Sequence, residues 1–275
     1  MTAALSIAEN DGSLSMSESG AGIPVLFQHG LGGDRNQVVQ AFDDRRFRRI
    51  TLECRGHGAS DFGATRPFSI EMFATDVLAA ADRLGIERFV AAGISMGAAI
   101  ALRLATTVPQ RVTGLVLVRP AWAFSPAPPN MAPIREIAAL LKSHPPEEAR
   151  SIFAASPVAR RLAEEAPDNL ASLLGYFDRL DAGLFADLLG DIAADGPGVA
   201  HRDAANLAVP SLVIGNGRDF VHPLATARLI AETIPNAAFL EVPSKTDDKA
   251  AHFAALRGAI SDFLLSHVNR RDQNP

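Results

Sequence analysis

The chain alternates between short apolar runs and longer segments in which apolar residues recur at helical spacing. Continuous apolar runs bounded by turn residues are typical of strands buried on both faces of a sheet. Strands that alternate with helices in this way predict an α/β fold, with a mostly parallel central sheet and helices on both faces. The runs lie at residues 24–30, 50–53, 89–92, 112–118, 209–215 and 238–242.

The two ends of the chain depart from this alternation. Residues 3–19 alternate apolar and polar positions around Asn10-Asp11-Gly12, which predicts a small edge hairpin. Residues 269–275 are polar, and we expect them to form a flexible tail.

The middle of the chain lacks strand patterns. From Arg119-Pro120 to about residue 205, prolines separate short helical stretches. We therefore expect a helical cap over residues 120–205, inserted after the sixth strand. The core domain would then comprise residues 1–119 and 206–268.

Composition narrows the classes of function. The chain has 275 residues, of which 48% are hydrophobic and 21% charged, and such values are typical of a folded globular protein. The net charge is −5 and no stripe of Lys and Arg is evident, which argues against a nucleic-acid partner. A lone cysteine, Cys54, cannot form an internal disulfide, and no secretory signal is visible. We expect a cytoplasmic protein with a small-molecule substrate and no membrane partner, and a homodimer is conceivable.

One turn carries the clearest chemical signal. Gly93-Ile94-Ser95-Met96-Gly97 fills the pattern G-x-S-x-G between a predicted strand and a predicted helix. In such a turn the serine is held at positive φ, and the flanking glycines prevent side-chain clashes. The helix N-terminus favours negative charge beside the serine. By itself, the pattern could also arise by chance in a chain rich in Ala and Gly.

Four motifs in sequence order make the case stronger. They are His29-Gly30-Leu31-Gly32-Gly33, Arg55-Gly56-His57-Gly58-Ala59-Ser60, the serine turn, and the segment from Gly215 to Pro223 that contains Asp219. Together they resemble the α/β-hydrolase fold superfamily, in its serine-nucleophile branch. The resemblance covers nearly the whole chain outside the cap.

The resemblance implies a Ser-His-Asp triad. Ser95 would be the nucleophile, the backbone N–H groups of Leu31 and Met96 would form the oxyanion hole, and Asp219 would orient the histidine. An alternative for Asp219 is a loop aspartate that caps the next helix.

The histidine of the triad is assigned by its position after the last predicted strand. The family usually places it in a Gly-His loop after the last strand, but residues 243–249 contain no histidine. We assign the role to His252, the nearest one. His252 could instead be a helix-surface residue, which would leave the triad without its base. His222 lies too near Asp219 in sequence to be favoured, and Lys245 is more consistent with a solvated loop charge.

The remaining candidates concern the substrate. We place His29, Gly30 and Trp122 in the substrate-binding region, although the family uses the His29 motif structurally. Scattered histidines without HxxxH or CxxC spacing predict no metal, and no cofactor is expected.

Two hypotheses of function follow from these assignments. The first is a serine hydrolase of a small ester, thioester, lactone or C–C diketone-type substrate, acting through an acyl-enzyme. The second is a ligand-binding or sensor protein of the same fold with little turnover, which the missing Gly-His loop would explain.

Overall fold

Eight strands form one sheet in the computed structural model, which describes residues 2–6 and 12–268. The strands are β1 (Thr2–Ser6), β2 (Ser13–Ser19), β3 (Pro24–Gln28), β4 (Arg48–Leu52), β5 (Phe89–Ile94), β6 (Val112–Val118), β7 (Ser211–Gly215) and β8 (Ala238–Glu241). Their order across the sheet is β1-β2-β4-β3-β5-β6-β7-β8. The pairings β1–β2 and β2–β4 are antiparallel, and the other five are parallel. The predicted mostly parallel sheet is confirmed.

The helices outside the region between β6 and β7 cover both faces of the sheet. They are α1 (Arg35–Ala41), α2 (Ile70–Arg83), α3 (Met96–Thr107), α10 (Leu224–Thr233) and α11 (Lys249–Phe263), which continues as a π-helical turn over Leu264–Val268. Side chains alternate between two buried clusters along each central strand. In β5, Ala91 joins the cluster that includes α2 and α3, whereas Val90 and Ala92 join the cluster that includes α1 and α11. This double burial explains why the strand sequences are continuously apolar.

Six helices lie between β6 and β7. They are α4 (Ala132–Ser143), α5 (Pro146–Ala154), α6 (Pro157–Glu165), α7 (Pro167–Leu174), α8 (Ala182–Ala194) and α9 (His201–Ala205), with 3₁₀ turns at Pro129–Met131 and Gly175–Asp178. Proline is the first residue of α5, α6 and α7. A proline suits this position because its missing N–H would have no helical acceptor there. We use the name cap for residues 120–205, whose separation from the core as a domain remains a prediction.

The two ends of the chain are described only in part. Strands β1 and β2 pair antiparallel, with Thr2 opposite Ser17 and Ser6 opposite Ser13. The predicted turn at Asn10-Asp11-Gly12 lies mostly outside the described residues, as does the predicted tail 269–275. Among the helices of the described ranges, none has both the length and the apolar character needed to cross a membrane.

Candidate active site

Ser95 lies at the sharp turn between β5 and α3, as the G-x-S-x-G pattern predicts. Its backbone has φ 55° and ψ −111°, a conformation that L-residues rarely adopt. The Ser95 N–H donates to the carbonyl of Val118 at 3.0 Å, which ties the turn to β6. A Cβ on Gly93 would overlap the backbone of Gly97, and a Cβ on Gly97 would overlap the carbonyl of Gln28. Both glycines are therefore required by close backbone approach.

The loop after β7 brings an acid and a base to this serine. Nε2 of His222 lies 2.8 Å from Oγ of Ser95, and Nδ1 lies 2.8 Å from Oδ1 of Asp219. The backbone N–H of His222 also donates to Oδ1 of Asp219, at 3.0 Å. The His222 side chain is 12% exposed and that of Asp219 only 1%. The three side chains form a continuous hydrogen-bonded line.

His252 does not occupy the position that we predicted for it. Its Nδ1 lies 2.8 Å from the carbonyl oxygen of Pro243, and its ring packs edge-on against Phe253. The cause is the start of α11 at Lys249, where Asp248 caps the helix by accepting from the Ala251 N–H at 2.9 Å. His252 is thus one turn inside the helix and buried. His252 therefore contacts the loop at Pro243, whereas we expected it to contact Ser95.

His222 is the histidine that sequence reasoning set aside. We judged three residues too short a separation for an acid–histidine pair. The loop turns tightly enough that one carboxylate oxygen faces both the backbone N–H and the ring of His222. The signal in the sequence was Asp-x-x-His, which begins four residues after the end of a buried strand.

Arg119 contacts both Asp219 and His222 from the end of β6. It follows β6 with φ 48°. Its guanidinium donates to Oδ2 of Asp219 through Nε at 2.8 Å, and its Nη2 lies 2.6 Å from the same oxygen. Nη2 is also 3.3 Å from Nδ1 of His222. The Asp219 carboxylate therefore lies between an arginine and a histidine.

These contacts set the protonation states. Burial raises the pKa of Asp219, but Arg119 and His222 outweigh burial and hold that pKa well below its usual range. Burial lowers the pKa of His222, with a further lowering from Arg119, while Asp219 opposes the change. Asp219 is thus ionised and His222 neutral near pH 7. A neutral imidazole beside a serine hydroxyl can accept the hydroxyl proton.

Two backbone N–H groups beside Ser95 are available to a ligand. Among the described residues, no intramolecular acceptor is found for the N–H of Leu31 or of Met96. The neighbouring N–H of Gly30, in contrast, donates to Oε1 of Gln37 at 2.6 Å. The carbonyl of Leu31 accepts from the hydroxyl of Tyr176 at 3.0 Å, and this bond holds the loop from the cap side. The predicted oxyanion hole at Leu31 and Met96 remains a prediction.

The cap also holds the loop that carries the acid and the base. Oδ1 of Asn169, on α7, accepts from the N–H groups of Phe220 and Val221 at 2.7 and 2.9 Å. Nδ2 of Asn130 donates to the Val221 carbonyl at 2.7 Å. Residues far away in sequence therefore set the path of residues 219–222.

A cavity of about 80 Å³ opens at the serine. Its lining includes Gly30, which we predicted to bind substrate, together with Ser95, His222, Arg119 and Lys245.

Two other predicted substrate contacts are absent from that lining, within the described residues. His29 is fully buried, with Nδ1 2.8 Å from the Gly30 carbonyl and Nε2 accepting from the Cys54 N–H at 3.0 Å. Trp122 is buried, and its indole N–H donates to the carbonyl of Asp195 at 2.9 Å. Both side chains have hydrogen-bond partners within the protein. No cluster of metal-ligating side chains occurs within residues 2–6 and 12–268.

Comparisons with known proteins agree with this fold. A family model described as alpha/beta hydrolase fold matches residues 23–162. RutD of Klebsiella pneumoniae strain 342, a protein named for carbamate hydrolysis, is 29% identical over 227 residues, covering 80% of this chain and 82% of the relative. The crystal structure of BpoC of Mycobacterium tuberculosis H37Rv, named as a non-heme bromoperoxidase, is 25% identical, with a TM-score of 0.68 and coverage of 92% and 96%.

A solved enol-lactonase shares the fold at lower sequence identity. The enzyme from Burkholderia xenovorans LB400 is 22% identical, with a TM-score of 0.70, and the match covers 93% of this chain and 97% of that one. The family model spans about half of the chain and includes the serine turn. The protein is therefore an enzyme of the alpha/beta hydrolase fold family.

Proposed function

We propose that the protein is a serine hydrolase that cleaves a small acyl compound through an acyl-enzyme on Ser95. The observation that carries the proposal is the hydrogen-bonded line from Ser95 through His222 to Asp219, with both distances at 2.8 Å. Its substrate would be a small ester, thioester, lactone or C–C diketone-type compound. The relatives named for carbamate and enol-lactone chemistry support cleavage at an acyl carbon.

The first half of the mechanism forms the acyl-enzyme. Oγ of Ser95 attacks the substrate carbonyl carbon while Nε2 of His222 takes the hydroxyl proton. The N–H groups of Leu31 and Met96 would donate to the resulting oxyanion, and such donors contribute roughly 3–4 kcal/mol each. The intermediate then collapses, the bond to the leaving group breaks, and His222 gives its proton to that group.

The second half releases the acid. Water attacks the acyl carbon as His222 accepts a water proton, and the proton then passes to Ser95 as the acyl bond breaks. Throughout, Asp219 stays ionised and holds the imidazole in the tautomer with hydrogen on Nδ1. Its lowered pKa, which Arg119 maintains, suits that task.

Active-site labelling tests the proposal directly. A fluorophosphonate probe should label the wild type and fail to label Ser95→Ala. Ser172→Ala is a matched control, because Ser172 lines the same cavity without a histidine contact among the described residues. Persistent labelling of Ser95→Ala would reject Ser95 as the nucleophile. An unlabelled wild type would favour the ligand-binding hypothesis.

A further inference from the structure

The charges around the cavity are unevenly placed. Arg119 and Lys245 line it, whereas none of its lining residues in the described ranges is Asp or Glu. Lys245 stands in the loop after β8, where the resemblance led us to expect the catalytic histidine. The cavity therefore has a cation on the β6 side and another on the β8 side.

The carboxylates that pair with these two cations are absent from the cavity lining. Asp219 is 1% exposed and is held between Arg119 and His222. Asp168, at the start of α7, pairs with Nζ of Lys245 at 2.8 Å and is absent from the cavity lining. Each cation thus lines the cavity, whereas the carboxylate that pairs with it does not. Within the described residues, Nη1 of Arg119 has no acceptor.

Arg119 and Lys245 also lie close enough to His222 to affect its pKa. Both lower the pKa of His222, which places them within electrostatic range of the base, although burial of the imidazole is the larger cause. The Lys245 side chain is only 19% exposed, and a charge-assisted hydrogen bond to an anion in the cavity would be screened less by salt there than at an open surface. A neutral substrate would bring no anion into the cavity to interact with Arg119 or Lys245.

We infer that the cavity selects acyl substrates that carry a carboxylate, and that Lys245 is a specificity-determining residue that binds it. The inference rests on the proposed function for its turnover, but its binding part can be measured separately. It adds a substrate class to the proposed function, namely monoesters of small dicarboxylic acids and related anionic acyl compounds.

Two esters of the same shape, one anionic and one neutral, provide the test. Monomethyl succinate ends in a carboxylate, and methyl levulinate replaces that carboxylate with a methyl ketone. Binding of each is measured by calorimetric titration to Ser95→Ala, which should hold them without turnover. We expect monomethyl succinate to bind at least about tenfold more tightly, which is a difference of about 1.4 kcal/mol. In the wild type, the ratio of kcat/KM values should favour it by a similar factor.

Variants locate the preference at Lys245. Lys245→Met keeps the length of the side chain and should abolish the preference, and Lys245→Arg should retain it. Because Lys245→Met leaves Asp168 unpaired, the double variant Lys245→Met/Asp168→Asn removes the whole pair and should show the same loss. Lys142→Met is the control, since Lys142 pairs with Asp187 on an exposed face of the cap.

The outcomes separate this inference from the proposed function. Equal binding of the two esters, or a preference that survives in both Lys245→Met variants, would overturn the inference even if both esters are hydrolysed. A preference in binding without any turnover by the wild type would support the inference and count against the proposed function.

Discussion

Replacing His222 with alanine tests the centre of the proposed mechanism, and His252→Ala is its matched control. Both residues are histidines with a ring nitrogen 2.8 Å from an oxygen, but the partners differ. His222 faces the Ser95 hydroxyl, whereas His252 faces the Pro243 carbonyl. A role in catalysis and a role in packing should therefore produce opposite profiles of activity and stability.

The contacts allow the size of each effect to be estimated. Loss of a triad member lowers turnover by roughly 10³–10⁶-fold, which corresponds to about 4–8 kcal/mol of lost transition-state stabilisation. We expect this loss for His222→Ala in kcat, with KM changed little. His252→Ala loses one hydrogen bond, worth about 1 kcal/mol of folding stability, and the contact with Phe253. Its Tm should fall by roughly 2–4 °C per kcal/mol, and its turnover should stay within a few-fold of the wild type.

The assay is steady-state hydrolysis of a small ester at neutral pH, combined with thermal melting of each variant. Melting shows whether a loss of turnover reflects unfolding. A decrease below about tenfold in a folded His222→Ala protein would refute the base assignment. A large loss of turnover in a folded His252→Ala protein would instead support His252, which we first expected, as the base.

Three further predictions concern the titration of His222 and the packing of two glycines. Arg119→Gln removes a cation that lowers the pKa of His222 and leaves Asp219, which raises that pKa. The rise of kcat/KM with pH should therefore move to higher pH. A shift to lower pH, or no shift, would contradict this prediction. In the wild type the rise should lie below the ordinary histidine pKa of about 6.5, because only neutral His222 is a base. Gly97→Ala forces a Cβ onto the Gln28 carbonyl and should destabilise the fold by about 2–4 kcal/mol. Gly258→Ala lies in open space on α11 and should stabilise the fold by about 0.5–1 kcal/mol. Thermal or urea unfolding measures both effects.

The fold and the geometry of the Ser95 turn were predictable because their determinants are local. A strand buried on both faces leaves a continuous apolar run, and this signal located the central strands. The positive φ of Ser95 requires close glycines on both sides, which left the G-x-S-x-G pattern in the sequence. These features depend on neighbours within a few residues.

The base and its environment depend on distant residues. Asn169 and Asn130 hold the loop that aims His222 at Ser95, and they lie 51 and 91 positions from their partners. Arg119 reaches Asp219 across 100 positions. A pattern read along the chain has no access to such contacts. His252 seemed closer to the family's usual position, but the start of α11 turned it away.

Asp219 and His222, the proposed acid and base, are three residues apart in one loop. Their mutual alignment comes from the turn itself, since the His222 backbone N–H and ring both meet the same carboxylate oxygen. In the proposed mechanism, the segment after β8 takes no part in proton transfer. Insertions or exchanges there can alter which molecules enter without dismantling the proton relay. Substitutions at that edge of the sheet can therefore change specificity while Asp219 and His222 keep their mutual alignment.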